Sequence, residues 1–421
     1  MKRFVLALAV LVPGLVLAAD ASKPTLEEEV ARLREEVDAL KKERVSAKSA
    51  DVRYEDGVVI ESGEASMKFG GFGQFDGRFV DAGGEQDSSL FIRRLRPEMR
   101  GKLPGDLQYR IVGEFAGSSA RLIEGWVDTP FVAGSRFRVG QFKEPFSLDE
   151  VTSAACLDMV ERSMFASAFA PQEDIGAGLS GQCAGKTVKY DFGVFNGRGK
   201  NVDENNNDKD VAGRVVISPW SGSDGLLKGL SVGVNGTAGE QDEVLDGVAY
   251  RTAGRTKFFS FADDVKQDGN RTRVGADIAY LRGPGSVKAE WMQIDTDGYS
   301  LGSTNTDVRF TGWYVSATWL LTGETKVYNK QVVPSKPGWP GAWEVEARYE
   351  SFEGGDEALE SGLATGTDAV DASTLGLTWY PNKNIKVVGN VIHATFDEDI
   401  SFKGEKVDSE DVVLVRLQYS L

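Results

Sequence analysis

"VVLVRLQYSL" (412–421) alternates without a break: Val413, Val415, Leu417, Tyr419 and Leu421 fall on one parity, Arg416 and Gln418 on the other. A β-strand sends successive side chains to opposite faces, so this segment has one dry face and one wet face. "MKFGGFGQFDGRFV" (67–80) repeats the arrangement, with Met67, Phe69, Phe75 and Phe79 opposite Lys68, Gln74, Asp76 and Arg78. Segments of this kind recur from Met67 to Leu421, separated by turns rich in Gly, Asp and Asn. A sheet that repeats this pattern without crossover helices must stack on another sheet or close on itself. Closure with the dry face outward gives an all-β fold, an antiparallel transmembrane β-barrel. The segments number about 15 to 17, and the even-number preference of bacterial barrels selects about 16. At that size the interior is too wide for side chains to fill and leaves a water channel.

Four segments show the expected lumen side. They put Gln108, Arg110 and Glu114 inward from 107–115, Lys189 and Asp191 from 187–195, and Arg273 and Asp277 from 273–281. The fourth puts Glu344, Glu346, Arg348 and Glu350 inward from 342–350. Aromatics near segment ends (Trp313, Tyr314, Trp319, Trp379, Tyr380) suit an interfacial girdle.

The bulk numbers agree with a barrel without deciding it. The chain has 421 residues, 49 glycines, a formal net charge of −16 and a mean hydropathy of −0.27. So acidic a chain is a poor nucleic-acid binder. Met1-Lys2-Arg3, an apolar run to Leu17 and Ala18-Ala19 read as a secretory signal peptide over 1–19, cleaved near Ala18 or Ala19. Export follows from that reading, and the barrel makes the bacterial outer membrane the expected destination. Cys156 and Cys183 would then meet an oxidising compartment, where a disulfide between them and two unpaired thiols are both open.

Residues 24–45 carry Leu26, Val30, Leu33, Val37 and Leu40 at heptad spacing, with Glu, Arg, Asp and Lys beside them. Thr25-x-x-Glu28 fits a capping box. A lone helix of about 20 residues is marginal in water, so a coiled coil with copies of itself is expected. Residues 46–65 read as a linker or as the barrel's first contact, with a weak strand at 58–60, and 66–421 as the barrel. Acidic and Asn-rich runs at 201–210, 261–270, 353–362 and 396–411 read as loops and turns. The run 201–210 offers oxygen ligands but lacks the spacing of a calcium loop.

The densest basic stretch is "FIRRLRPEMRGKL" (91–103). Arg94, Arg96, Glu98, Arg100 and Lys102 share one parity, while Arg93 falls with Phe91, Leu95 and Met99. A charge facing lipid costs about 2–4 kcal/mol at midplane, so the Arg94 row should face the lumen and Arg93 should sit at a rim or a bulge. A guanidinium row along a narrow water path attracts anions and can hold phosphate through forked hydrogen bonds. Farther on, "RFRVGQFKEPFSLDE" (136–150) ends a strand near Phe142, and a long break follows that includes apolar residues. The break exceeds a routine hairpin turn. A loop folded back into the barrel, over about 143–176, would explain its length and composition and would narrow the pore. Lys143 sits where that loop leaves the wall.

These stretches resemble the phosphate-selective porins O and P. The resemblance rests on "RRLRPEMRGKL" (93–103), "VGQFKEPFSLDE" (139–150), "MVERS" (159–163), "YDFGVFNGRG" (190–199), "WYVSATWLLTGETKVYN" (313–329), "GAWEVEARYE" (341–350), "LGLTWYPNKNIKVVGNVIH" (375–393) and "VRLQYSL" (415–421). It implies an outer-membrane barrel assembled as a homotrimer, with a constriction made by the inward third extracellular loop. It implies a phosphate site lined by an Arg pair, a Lys and a strand Asp, which fall here on Arg93, Arg94, Lys143 and Asp128. Lys68 matches a basic position in the first strand, and Arg96 extends the row. The chain departs from the family pattern in two places: Arg162 is the basic residue of 151–170, where a Lys is expected, and 342–350 carries three inward Glu.

The resulting expectation is a pore for passive diffusion of small hydrophilic solutes, with anions such as phosphate as candidate solutes and no cofactor. An envelope tether is the alternative. Its coiled coil would hold a cell-wall or periplasmic partner, with the barrel as anchor in outer-membrane lipid. A hydrolase would have to use the single histidine, His393, in a strand-like run, and no phosphate loop, zinc spacing or dinucleotide turn is present. A secreted β-sandwich would instead pack its apolar faces inward.

Overall fold

The computed structural model describes residues 26–46 and 50–421. The signal-peptide reading of 1–19 and Thr25 of the capping box lie outside the described residues. Two units are present, one on each side of residue 50. The first contains helix α1 (Leu26–Ser46), which opens on Glu27, Glu28 and Glu29, the charge sign that a helix N-terminus favours. Leu26, Val30, Leu33 and Val37 lie exposed along it.

The second unit is a closed antiparallel barrel of 16 strands. They are β1 (Ala65–Ala82), β2 (Glu85–Leu103), β3 (Leu107–Glu114), β4 (Arg121–Pro130), β5 (Arg136–Lys143), β6 (Glu173–Cys183), β7 (Val188–Phe195) and β8 (Asp210–Ile217). The second half comprises β9 (Leu230–Val244), β10 (Lys266–Arg282), β11 (Gly285–Leu301), β12 (Thr304–Leu320), β13 (Ala342–Gly354), β14 (Ala369–Asn382), β15 (Ile385–Phe402) and β16 (Glu405–Ser420). Neighbours in sequence pair, and β16 closes the ring on β1 from Asp411↔Asp81 to Ser420↔Phe72. That pairing leaves the start of β1 uncovered. A hairpin of Asp51–Tyr54 and Val58–Ser62 fills the gap, pairing Val58 with Phe69 and Ser62 with Ala65. Half of the stretch expected as linker is therefore sheet, because an open strand edge would otherwise remain.

Alternation decides which way the wall faces. Leu417 is 48% exposed on the outer surface, whereas its neighbour Arg416 is 2% exposed inside. Phe69, Phe75, Phe79, Val413, Val415 and Tyr419 point outward with Leu417. Long connections (144–172, 196–209, 245–265, 355–368) gather at one end of the barrel. Most turns at the other end are short, as at 104–106, 283–284 and 383–384. Long loops outside and short turns inside are the outer-membrane pattern, so the termini of the barrel mark the periplasmic end. There Trp339, Trp343 and Trp379 cluster with ring centroids 5.8–6.3 Å apart. Tyr314 and Tyr380, expected in the girdle, instead face the lumen, because a period of two turns each away from its tryptophan neighbour.

The lumen is not an open column throughout. On the β12–β13 side its outer half is packed with aromatic rings. The inward loop 144–172 contributes helix α2 (Met164–Phe169), whose Phe169 lies 5.1–5.3 Å from Phe310, Phe352 and Tyr250. A small sheet of Ala249–Arg251, Lys257–Phe261 and Ala364–Gly366 adds Phe258, Phe259 and Phe261. The wall is too wide to fill itself, and inserted loops fill this side. Gly312 makes room for the insertion, since a Cβ there would meet Phe165 at 2.5 Å.

Of the two alternatives left open for the cysteines, the structure has the unpaired one. Cys156 lies on the inward loop and Cys183 ends β6 exposed at the barrel wall, and both thiols are free. In the described residues no group of three or more His, Cys, Asp or Glu is placed to hold a metal ion.

Candidate functional site: the constriction

The inward loop is fastened to nearly the whole circumference. Gln74 on β1 and Gln418 on β16 donate to the carbonyls of Ala154 and Ala155 at 2.9 Å. Asn390 on β15 accepts from the Val160 amide at 2.8 Å, and Arg416 on β16 donates to the Val160 carbonyl. Glu350 on β13 accepts from the Met164 amide at 2.6 Å. Glu290 on β11 takes the amides of Leu148 and Asp149 at 2.8 and 3.1 Å. The neck of the loop is closed by Arg162, which donates to the carbonyls of Asp149 and Thr152. These bonds explain the inward carboxylates. Glu350 holds the loop, Glu344 receives Tyr380 and Lys326, and Glu346 receives Thr378. The wall acids are largely spent on structure and contribute little free charge to the water path.

Between the loop and β2–β6 lies a cavity of about 300 Å³ that opens outward. Arg93, Arg94, Arg96 and Lys143 all line it. The ladder slips between Gln74 and Phe75, where Gln74 faces Arg94 and Phe75 faces Ile92. Arg93 is the extra residue of this bulge, which brings both arginines of the pair to the cavity. The same slip reverses parity above it. Phe91, grouped with Leu95 and Met99 in the sequence pattern, therefore turns inward, 5.2 Å from the guanidinium of Arg78. Arg93 Nε bonds Glu161 at 2.7 Å and Arg96 Nε bonds Glu114 at 2.8 Å. Lys143 lies 3.4 Å from the Glu150 carboxylate and donates to the Glu150 and Thr152 carbonyls.

Asp128 and Lys68 are elsewhere. Asp128 is nearly buried, bridging Arg136 and Arg138 at 2.7 and 2.9 Å. Lys68 lines a separate periplasmic vestibule of about 800 Å³. A second lower cavity, of about 640 Å³, shares Arg96, Ile123, Lys143 and Glu173 with the upper one, so the passage runs past these four side chains.

Sequence patterning missed part of the lining. Arg121 begins β4, Lys200 lies in the loop 196–209, and Arg251 and Arg255 descend from 245–265. Loop residues carry no parity, so alternation gives no signal for them. In all, nine cations and four carboxylates line the upper cavity. Each carboxylate is paired: Glu161 with Arg93, Glu114 with Arg96, Glu150 with Lys143 and Arg162, Glu173 with Lys200. Arg94, Arg121, Arg251 and Arg255 have no carboxylate oxygen within 4.0 Å among the described residues. Arg94 is only 4% exposed, donates to Gln74 at 2.8 Å and leaves its Nε without a protein partner.

Glu144, the first residue of the loop, lines the lower cavity with one carboxylate oxygen unpartnered. Burial, Asp210 and Asp174 push its carboxyl up to about 8, against the pull of Arg273 and Arg271. A carboxyl raised in the folded state costs stability as pH climbs from its ordinary value through the raised one. Raising pH from roughly 6 to 9 should therefore loosen the loop neck and add one negative charge to the passage. The expected readout is a fall in the chloride-to-potassium permeability ratio centred near pH 8, absent in Glu144→Gln. An identical pH profile in both proteins would remove Glu144 from the passage.

The family model of phosphate-selective porins O and P matches residues 69–421. No curated protein sequence matches the chain. Among solved structures, an anion-selective porin from Comamonas acidovorans aligns with a TM-score of 0.56 at 15% identity, over 85% of this chain and all of that one. The outer membrane channel DcaP of Acinetobacter baumannii aligns with a TM-score of 0.55 at 13% identity, over 86% and 99%. The trimer form of OmpT from Vibrio cholerae aligns with a TM-score of 0.53 at 14% identity, over 85% and 100%. These likenesses are likenesses of fold, and they agree with the 16-strand barrel. With most of its length matched, the chain belongs to the phosphate-selective porin O and P family and is a bacterial outer-membrane porin, not an enzyme.

Proposed function

We propose that this porin selects anions, phosphate among them, and that the selecting element is the upper cavity. The observation that carries the reading is the local charge reversal: nine cations face four carboxylates there, in a chain whose net charge is −16. A water-filled constriction with low-dielectric walls focuses that excess on a permeating ion. Arg94 is assigned the central role, since its guanidinium is buried and keeps its Nε donor without a protein partner. Forked donors match the oxygens of phosphate better than chloride. Arg93, Arg96 and Lys143 are assigned to the rim of the same site, and Arg121, Arg251 and Arg255 to collecting anions above it. Asp128 and Lys68 are left outside the eyelet.

The family name and the anion-selective neighbour agree with this reading. We further propose a homotrimer, on the exposed heptad seam of α1 and the trimeric form of one structural neighbour. The test is a planar-bilayer recording in chloride with phosphate titrated in. Phosphate should reduce chloride current with saturation, and one insertion should show three equal steps. Chloride current that phosphate dilutes only in proportion to its concentration would refute a phosphate site.

A further inference from the structure

Residues 321–341 join β12 to β13 at the periplasmic end, where most turns are short. The segment has its own small core, with Val332 buried among Leu320, Ala342 and Tyr380. Its backbone is tied to the wall by Lys326 N donating to Gly283 O and Leu321 N to Trp343 O, at 2.8 and 2.7 Å. Glu324 accepts from the Ser335 amide at 3.0 Å and closes the segment on itself.

From this base the tip reaches the underside of the inward loop. Lys326 Nζ lies 2.7 Å from Asp158, whose other oxygen receives Lys288 of β11 at 2.7 Å. The hydroxyls of Tyr328 and Thr152 are 3.1 Å apart, and Asn329 Oδ1 accepts from the Ser153 amide at 2.8 Å. Thr152 is the residue whose carbonyl also receives Arg162 and Lys143, so contact at its hydroxyl is one step from the narrow passage. Ser153 and Asn329 line both lower cavities, at the point where the vestibule divides.

We infer that 326–329 is a strut that fixes the resting position of the constriction loop from the periplasmic side, with Lys326, Tyr328 and Asn329 as positioning residues for the pore aperture. The wall holds the loop by its flanks and the strut holds it from below. A loop freed of the strut keeps its wall anchors and gains a second, lower resting position. The Asp158 carboxyl, which burial would raise, is held well below the ordinary range by Lys288 and Lys326, so the clamp stays ionised at neutral pH.

The test uses single-channel recordings of the full chain, with heat-modifiable gel mobility as the check on folding. The double variant Tyr328→Phe/Asn329→Ala removes no charge. Its channels should occupy a larger-conductance sublevel about tenfold more often, the shift expected when a hydrogen bond is lost from one of two states. Its chloride-to-potassium ratio should stay at the wild-type value. Lys326→Met should show the same sublevel, and Lys326→Arg should restore the native record. If the double variant and Lys326→Met both record like the native channel, the strut does not exist. If Lys326→Met shifts only the ion ratio and the double variant changes nothing, Lys326 acts as a lumen charge and the strut is likewise refuted.

Discussion

Arg94→Glu is expected to lower the chloride-to-potassium permeability ratio by about tenfold, since a change of about 1.4 kcal/mol in an ion's free energy at the filter is a factor of ten. Which charges around the cavity are free decides the effect. Arg93 and Arg96 are each held by a carboxylate, so a passing anion sees a dipole at these positions. Arg94 has no such neighbour within bonding distance and lines the same cavity. Reversing it changes the cavity from nine cations and four carboxylates to eight and five. Adding Lys143→Glu should deepen the fall, but that change also releases two loop carbonyls, so the single variant is the cleaner measurement. Lys68→Glu, in the periplasmic vestibule, serves as the control and should shift the ratio far less. Reversal potentials in a salt gradient read the effect directly. Unmoved potentials for Arg94→Glu would place the filter elsewhere. Arg93→Gln makes a contrasting expectation, since it strips Glu161 of a partner and leaves a carboxylate facing the path.

How far the sequence could be read depends on what kind of order each element has. Wall residues obey a period of two, and that rule oriented Leu417, Arg416, Asp277 and Glu350 without any structure. It failed wherever the period was interrupted. The slip at Gln74 and Phe75 turns Phe91 inward through hydrogen-bond register, which composition does not encode, whereas Arg93, whose charge on the apolar parity demands a rim or a bulge, is the bulge residue. Tyr314 and Tyr380 were misplaced for the opposite reason: proximity to tryptophan outweighed parity, and parity was right. The length and apolar content of 144–172 indicate an inserted loop, but its partners leave no sequence signal because each wall residue comes from a different strand. Arg251 and Arg255 were invisible on the same ground, as members of a loop that folds over an aromatic plug. The three inward Glu of 342–350 depart from the family pattern. Neutralising contacts to Lys326 and to loop or side-chain donors show that an inward acid need not be a solvated one.

Two adjacent residues of β16 give the sharpest test of orientation. Leu417→Arg should place a charge against acyl chains, at a cost of about 2–4 kcal/mol near midplane, and should slow or block barrel insertion. Arg416→Leu leaves the outer face untouched and removes the buried partner of Asp76, held at 2.7 Å, together with the donor to the Val160 carbonyl. Removing one member of a buried pair costs about 3–5 kcal/mol, because the other charge stays behind unpaired. Both variants are destabilised, yet by different routes, and the double-site rescue separates them. Arg416→Leu combined with Asp76→Leu removes both charges and should recover much of the loss, since apolar replacement of a buried pair is often near neutral. No change at Asp76 should help Leu417→Arg. Urea midpoints of refolding into detergent micelles, read by gel mobility, measure all four proteins. If Asp76→Leu rescued Leu417→Arg, or if Arg416→Leu behaved like the native chain, the wet and dry faces of β16 would have to be exchanged, and with them the lumen.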